Sequence, residues 1–209
     1  MANPQSADRP LFLIVAGPNG SGKSTAYEDA RAEFEGRAIW IVNPDRLTAR
    51  LGQIEDLTGE EGNLVAVTRI EDWLDASLAV HKSVGVETVL STDKYRRLVT
   101  RARLLEYEVW LFYVMLDHPD RNVERVAVRV KKGGHAVAET DIRRRYERSL
   151  AQLPWFLEAS DRAWIYDNSG AELKLVATKN EDILAMDVTA PARLLDALNI
   201  DLANVSGSE

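Results

Sequence analysis

Residues 11–25 read LFLIVA followed by GPNGSGKST: an apolar run that ends in a glycine-rich turn carrying a lysine and three hydroxyls. This pattern of Gly, four residues, Gly, Lys and Ser requires a strand before it and a helix after it, and the flanking residues predict both. Gly17, Gly20 and Gly22 permit backbone torsions that aim successive N–H groups inward, and the helix N-terminus adds partial positive charge. Gly17, Pro18, Asn19, Gly20, Ser21, Gly22, Lys23, Ser24 and Thr25 therefore form a candidate seat for the phosphates of ATP. Lys23 would reach the β- and γ-phosphates, and Ser24 would offer its hydroxyl to Mg²⁺. Pattern and context together set aside a bare glycine-rich turn.

Further short apolar runs recur along the chain: AIWIVN (38–43), VETVLS (86–91), EVWLFYVML (108–116) and RAWIYD (162–167), each followed by helical spacing. That rhythm predicts an α/β P-loop fold, with a mainly parallel sheet of five or more strands and helices on both faces. Between Glu60 and Val84 the residues Leu64, Val67, Ile70, Leu74, Leu78 and His81 recur at three- and four-residue steps, predicting one long amphipathic helix. Ala190–Leu198 predicts a short closing helix, and the ends, to about Asp8 and after Asn204, read as frayed. With no repeat and no linker, 1–209 reads as one P-loop domain, with a core of about 11–200 and, over about 119–150, a segment that could close as a lid.

The 209 residues contain no cysteine and three histidines, which excludes thiolate chemistry and leaves little for a histidine metal cluster. A metal here would be a hard cation held by oxygen. No apolar stretch of about 18 residues marks a membrane span, and the N-terminus lacks the features of a secretory signal, so a cytoplasmic protein is expected. A net charge of −7 argues against a nucleic-acid partner. Yet between Arg121 and Arg148 basic residues outnumber acidic ones.

The second apolar run ends in Asn43-Pro44-Asp45, which places Asp45 at the carboxyl edge of the sheet, where ligands of open α/β folds bind. There its carboxylate could accept a proton from an attacking hydroxyl. Equally, Pro44-Asp45 could simply begin a helix. Glu87 and Thr88 interrupt the third run; a carboxylate inside an apolar segment needs a partner or a task, such as a substrate hydroxyl or a magnesium-bound water, unless it faces solvent. Thr92 and Asp93 read as caps of a helix beginning near Lys94.

Arg121, Arg125 and Arg129 share one helical face, Lys131-Lys132-Gly133-Gly134-His135 breaks that helix, and Arg143-Arg144-Arg145 lie on the next. Two charged helices joined by a glycine break suit an arginine-rich lid that closes over a phosphoryl group, although such runs also serve as solvated faces. Asp167-Asn168-Ser169-Gly170 is a turn after the fifth run, and Asn168 could line the adenine. Of the histidines, His81 reads as part of a packed stripe, His118 as a turn residue and His135 as a lid residue near phosphate.

In their order along the chain, Gly17–Thr25, Asn43-Pro44-Asp45, Glu87-Thr88, Lys132-Gly133-Gly134-His135 with Arg143-Arg144-Arg145-Tyr146, and Tyr166-Asp167-Asn168-Ser169-Gly170 resemble the zeta toxin family of P-loop kinases, specifically its short bacterial branch. The resemblance runs from about Leu11 to Gly170. It implies an ATP- and magnesium-dependent kinase whose acceptor is a hydroxyl of a nucleotide-sugar such as UDP-N-acetylglucosamine. It also implies Lys23 on phosphate, Asp45 as base, Glu87 and Thr88 on acceptor and magnesium, and Arg129 with Arg144 or Arg145 as lid arginines. A protein antitoxin partner is a further implication. The chain departs from the pattern at Ala138, where that branch often has proline. Two other readings stand beside this one: a P-loop kinase for another hydroxyl acceptor (dinucleotide, nucleoside or antibiotic), and an ATP-binding switch with little transfer activity.

Overall fold

A computed structural model describes residues 9–29, 39–134 and 136–201. In chain order its elements are β1 (Leu11–Ala16), α1 (Lys23–Asp29), β2 (Trp40–Val42), α2 (Pro44–Ile54), α3 (Gly59–Ala79), β3 (Val84–Thr88) and α4 (Arg96–Leu104). They continue with β4 (Glu108–Met115), α5 (Pro119–Lys131), α6 (Glu139–Ala159), β5 (Arg162–Asp167), β6 (Lys174–Asn180), β7 (Ile183–Met186) and α7 (Ala192–Leu198).

The strands form one sheet in the order β2-β3-β1-β4-β5-β6-β7. β1 lies between β3 and β4, parallel to both, and β2 and β5 extend the parallel part outward. Successive residues of β1 point to opposite faces. Phe12, Ile14 and Ala16 join a large buried cluster with Leu74, Leu98, Leu153 and Phe156. Leu11, Leu13 and Val15 pack with Ala26, Trp110 and Phe112 on the other side. Every residue of β1 and β4 is buried, which is why both read as continuous apolar runs rather than alternating ones. The predicted α/β class and the mainly parallel sheet hold.

Two expectations need correction, the reach of the long helix and the place of His81. The sheet, expected with five or more strands, extends past the fifth apolar run: β6 pairs antiparallel with β5, and β7 with β6. The hairpin escaped the sequence because its turn carries Glu181 at φ +53 where a glycine or asparagine would announce it, and because β7 alternates only weakly in burial. The long helix stops at Ala79, ahead of β3, and its buried line runs through Gly62, Ala66, Ile70, Leu74 and Leu78, leaving Leu64 68% exposed. His81 lies beyond that helix at φ +54, its ring stacked on Tyr107 at 6.0 Å.

Among the described residues no helix is long and apolar enough to cross a membrane. His135 and the chain ends read as frayed, 1–8 and 202–209, lie outside the described residues.

Candidate active site

The turn after β1 is shaped by close approach. Gly17, Gly20 and Gly22 have φ of +140°, +77° and +90°. A Cβ at Gly17 would stand 2.0 Å from the carbonyl oxygen of Val114, and one at Gly22 would stand 2.5 Å from Nδ2 of Asn168, so larger residues are excluded on two counts. Lys23 opens α1 and folds back, its Nζ donating to the carbonyls of Gly17 (2.8 Å) and Pro18 (3.1 Å). Burial lowers the Lys23 pKa from its ordinary value, while Glu87 and Asp45 raise it and Arg129 lowers it. Those three side chains are the charges that act on the lysine. Ser24 donates its Oγ to Oε2 of Glu87 at 3.1 Å, and Thr25 faces solvent.

Asp45 begins a helix, as one of its two readings has it. Asn43 caps α2 by accepting the N–H of Arg46 at 3.2 Å, Pro44 takes the first helical position, and Asp45 occupies the first turn. The same residue lines a cavity of about 670 Å³. Lys23, Glu87, Thr88, Arg129, Arg144 and Arg145 line it too, as do Asn19 and Gly20. Ser24 adjoins the cavity through Glu87. Asn168 instead sits behind the loop, its Nδ2 donating to the carbonyl of Ser21 at 2.8 Å.

The arginines divide by their partners. Arg143 is turned from the cavity toward Asp120 (2.5 Å) and Glu139 (2.8 Å). Arg144 lines the cavity while paired with Asp141 at 2.6 Å, and Arg145 lies 4.0 Å from the same carboxylate. Arg121 binds Asp117 at 2.7 Å, and Arg125 donates to the carbonyl of Asn168 at 2.6 Å. α6 lines the cavity through Asp141, Arg144, Arg145 and Arg148. From the same stretch of helix Tyr146 donates to the carbonyl of Leu116 at 2.7 Å, and Ser149 and Tyr113 share a hydrogen bond at 2.9 Å, so the helix is anchored to β4 and the residue after it.

The cavity also has walls that the sequence reading missed: Thr48, Asn63 and Val67 from α2 and α3, Arg148 from α6, and Ser91, Thr92 and Lys94. Thr92 does not cap a helix, because α4 begins at Arg96 and its preceding residue, Tyr95, makes no side-chain cap. Beyond β3 the chain passes through Leu90, which is buried at φ +58 with its N–H donating to Oγ1 of Thr88 at 3.0 Å. A buried leucine held in the left-handed region is a strained feature that no residue pattern signals. Ser91, Thr92 and Lys94, which follow it, line the cavity. Burial lowers the pKa of Lys94, partly offset by Glu71.

A family model described as Zeta toxin matches residues 1–176. An uncharacterised protein of Haemophilus influenzae is 27% identical over 135 residues, 64% of this chain and 91% of the relative. Among solved structures, a chain of the PezAT chromosomal toxin–antitoxin system of Streptococcus pneumoniae superposes with a TM-score of 0.66 at 17% identity, covering 93% of this chain and 80% of that one. A chain of the AvrRxo1-ORF1:-ORF2 complex solved with ATP gives 0.64 at 13% identity, covering 94% and 65% respectively.

Proposed function

The chain belongs to the zeta toxin family of P-loop kinases, and on that premise we propose that it transfers the γ-phosphate of ATP to a hydroxyl of a nucleotide-sugar such as UDP-N-acetylglucosamine. One observation carries the proposal: Lys23, Asp45, Glu87 and Arg129 line a single cavity beside the glycine-rich loop, and Arg144 and Arg145 line it with them.

In this reading the loop from Gly17 to Thr25 seats the triphosphate, and Lys23 leaves the carbonyls of Gly17 and Pro18 to reach it. Asp45 accepts the proton of the acceptor hydroxyl as its oxygen forms the new bond to phosphorus and the bond to the departing ADP breaks. Arg129, Arg144 and Arg145 spread the charge of the transferred group. Glu87 and Thr88 hold the acceptor, and Asn168 serves ATP through the loop it braces.

Ser24 Oγ and Glu87 Oε2, 3.1 Å apart, are a hard-oxygen pair of the kind Mg²⁺ takes alongside phosphate oxygens and water. Among the described residues no group of three His, Asp or Glu side chains could hold a metal by itself, which suits an ion held largely by substrate and water. Bound there, Mg²⁺ would neutralise phosphate charge.

Lys94 and Arg148 add cationic groups on the cavity wall beyond those assigned to the γ-phosphate, which favours an acceptor that itself carries phosphate. A cytoplasmic kinase of 1–209 acting as one unit, restrained by a protein antitoxin, completes the proposal. Its test is incubation with Mg-ATP and a panel containing UDP-N-acetylglucosamine, dinucleotides, nucleosides and aminoglycoside-type hydroxyls, read by mass spectrometry. Phosphorylated UDP-N-acetylglucosamine is the expected product; a different phosphorylated acceptor would replace the substrate, and hydrolysis without transfer would favour a switch.

A further inference from the structure

We infer that Asn122 and Asn168 are positioning residues for the phosphate loop, holding its outward carbonyls so that its N–H groups face the cavity. The inference rests on the reading of that loop as the seat of the triphosphate.

A loop that presents N–H groups to an anion must turn carbonyls the other way, into protein, where each needs a donor. Two such donors come from side-chain amides far away in sequence. Nδ2 of Asn122 donates to the carbonyl of Asn19 at 2.7 Å, and Nδ2 of Asn168 donates to the carbonyl of Ser21 at 2.8 Å. Asn122 is on α5, and Asn168 follows β5. The two elements are tied together by Arg125, whose Nη2 donates to the carbonyl of Asn168 at 2.6 Å. α5 also presses on the loop directly, since a Cβ at Gly20 would stand 2.9 Å from the carbonyl oxygen of Asn122 and 3.1 Å from Cγ2 of Val126.

The strongest indication is the cost of Asn122. Its side chain is 0% exposed, and its Oδ1 has no hydrogen-bond partner among the described residues. A buried polar atom left unsatisfied is unfavourable, and an apolar residue of similar size would avoid it. The donated N–H is what an apolar residue could not supply. Asn168 does the same from a half-buried position. Neither side chain touches the cavity, so each would act through the loop.

The test uses the full chain with Asn122→Ala and Asn168→Ala, measuring binding of ATP and of inorganic tripolyphosphate by calorimetry at a temperature where each variant is folded. Steady-state turnover and ligand-free thermal unfolding are followed in parallel. Both dissociation constants should rise at least tenfold and by the same factor, because the damage lies in the phosphate seat and not at the base. KM for ATP should rise more than kcat falls. Lower unfolding temperatures with unchanged dissociation constants would overturn the inference, leaving the amides a purely structural role. Should Asn122→Ala fail to fold, Asn168→Ala alone decides, since its residue is half-buried and its carbonyl target is a loop neighbour of the other. Wild-type protein that binds neither ligand would overturn the kinase reading and this inference with it; wild type that binds while both variants bind equally well would overturn this inference alone.

Discussion

Ser24 at the start of α1 donates its hydroxyl to Glu87 at the end of β3, at 3.1 Å. The pairing follows from register: Val15 lies opposite Glu87 and Ala16 opposite Thr88, so the carboxyl edge of β3 stands level with the beginning of the glycine-rich loop. A serine that needs to offer a lone pair to a cation is thereby held with its proton turned toward a carboxylate. Glu87→Gln should raise the Mg²⁺ concentration for half-maximal turnover by about 10–100-fold, as loss of supporting groups around a metal ligand does elsewhere. Titration of turnover against Mg²⁺ checks this, and an unchanged midpoint would remove Glu87 from the metal's surroundings.

Lys23 gives a pH signature. Burial, the largest influence, sets its folded pKa below the ordinary 10.5, with Glu87 and Asp45 acting in the opposite direction. Between the lowered value and 10.5 the unfolded chain holds a proton that the folded chain has released, so this residue makes stability rise with pH across that interval. In ligand-free Lys23→Met the rise should be flatter than in wild type, followed by denaturant titration at several alkaline pH values. ATP binding in the same variant should weaken at least about 100-fold, since the charge facing the phosphates is gone.

The three consecutive arginines should separate in kinetics. Arg144→Ala and Arg145→Ala should each lower kcat by about 10²–10³ while changing the ATP dissociation constant much less, because their charge matters most as phosphate charge develops. Arg143→Ala, whose guanidinium is committed to Asp120 and Glu139, should stay within about threefold of wild type in kcat. Single-turnover rates beside equilibrium ATP titrations distinguish the two classes; equal losses at all three positions would contradict the assignment.

Ala138 precedes α6 with φ −60° and ψ 140°, torsions that proline adopts without strain. Ala138→Pro should therefore stabilise the protein by about 0.4–1 kcal/mol through the unfolded state. Chemical denaturation measures the change, and a loss of stability would mean that the Ala138 N–H is needed in the fold.

What the sequence disclosed was local chemistry. The glycine-rich loop, the proline start of the helix bearing Asp45, and a glutamate inside an apolar strand are each legible over a few residues, and these are the groups that meet at the cavity. The arginine triplet was legible as a helix but not in rotation; the carboxylates Asp120, Glu139 and Asp141 decide which guanidinium turns away. Lys94 and Thr92 were missed because the chain reaches them through Leu90 at positive φ, in a residue that avoids it. Asn122 could not be found by spacing at all, since the carbonyl it binds is 103 residues away.

That Asp45 takes the acceptor's proton in a phosphoryl transfer is checked by Asp45→Asn, assayed for transfer and for ATP affinity in the same preparation. Replacing a carboxylate by an isosteric amide removes the base while keeping its shape at the start of α2. Phosphorylated product should fall about 10²–10⁴-fold with ATP affinity nearly unchanged. Transfer at the wild-type rate, or a loss of ATP affinity equal to that in Lys23→Ala, would rule Asp45 out as the base.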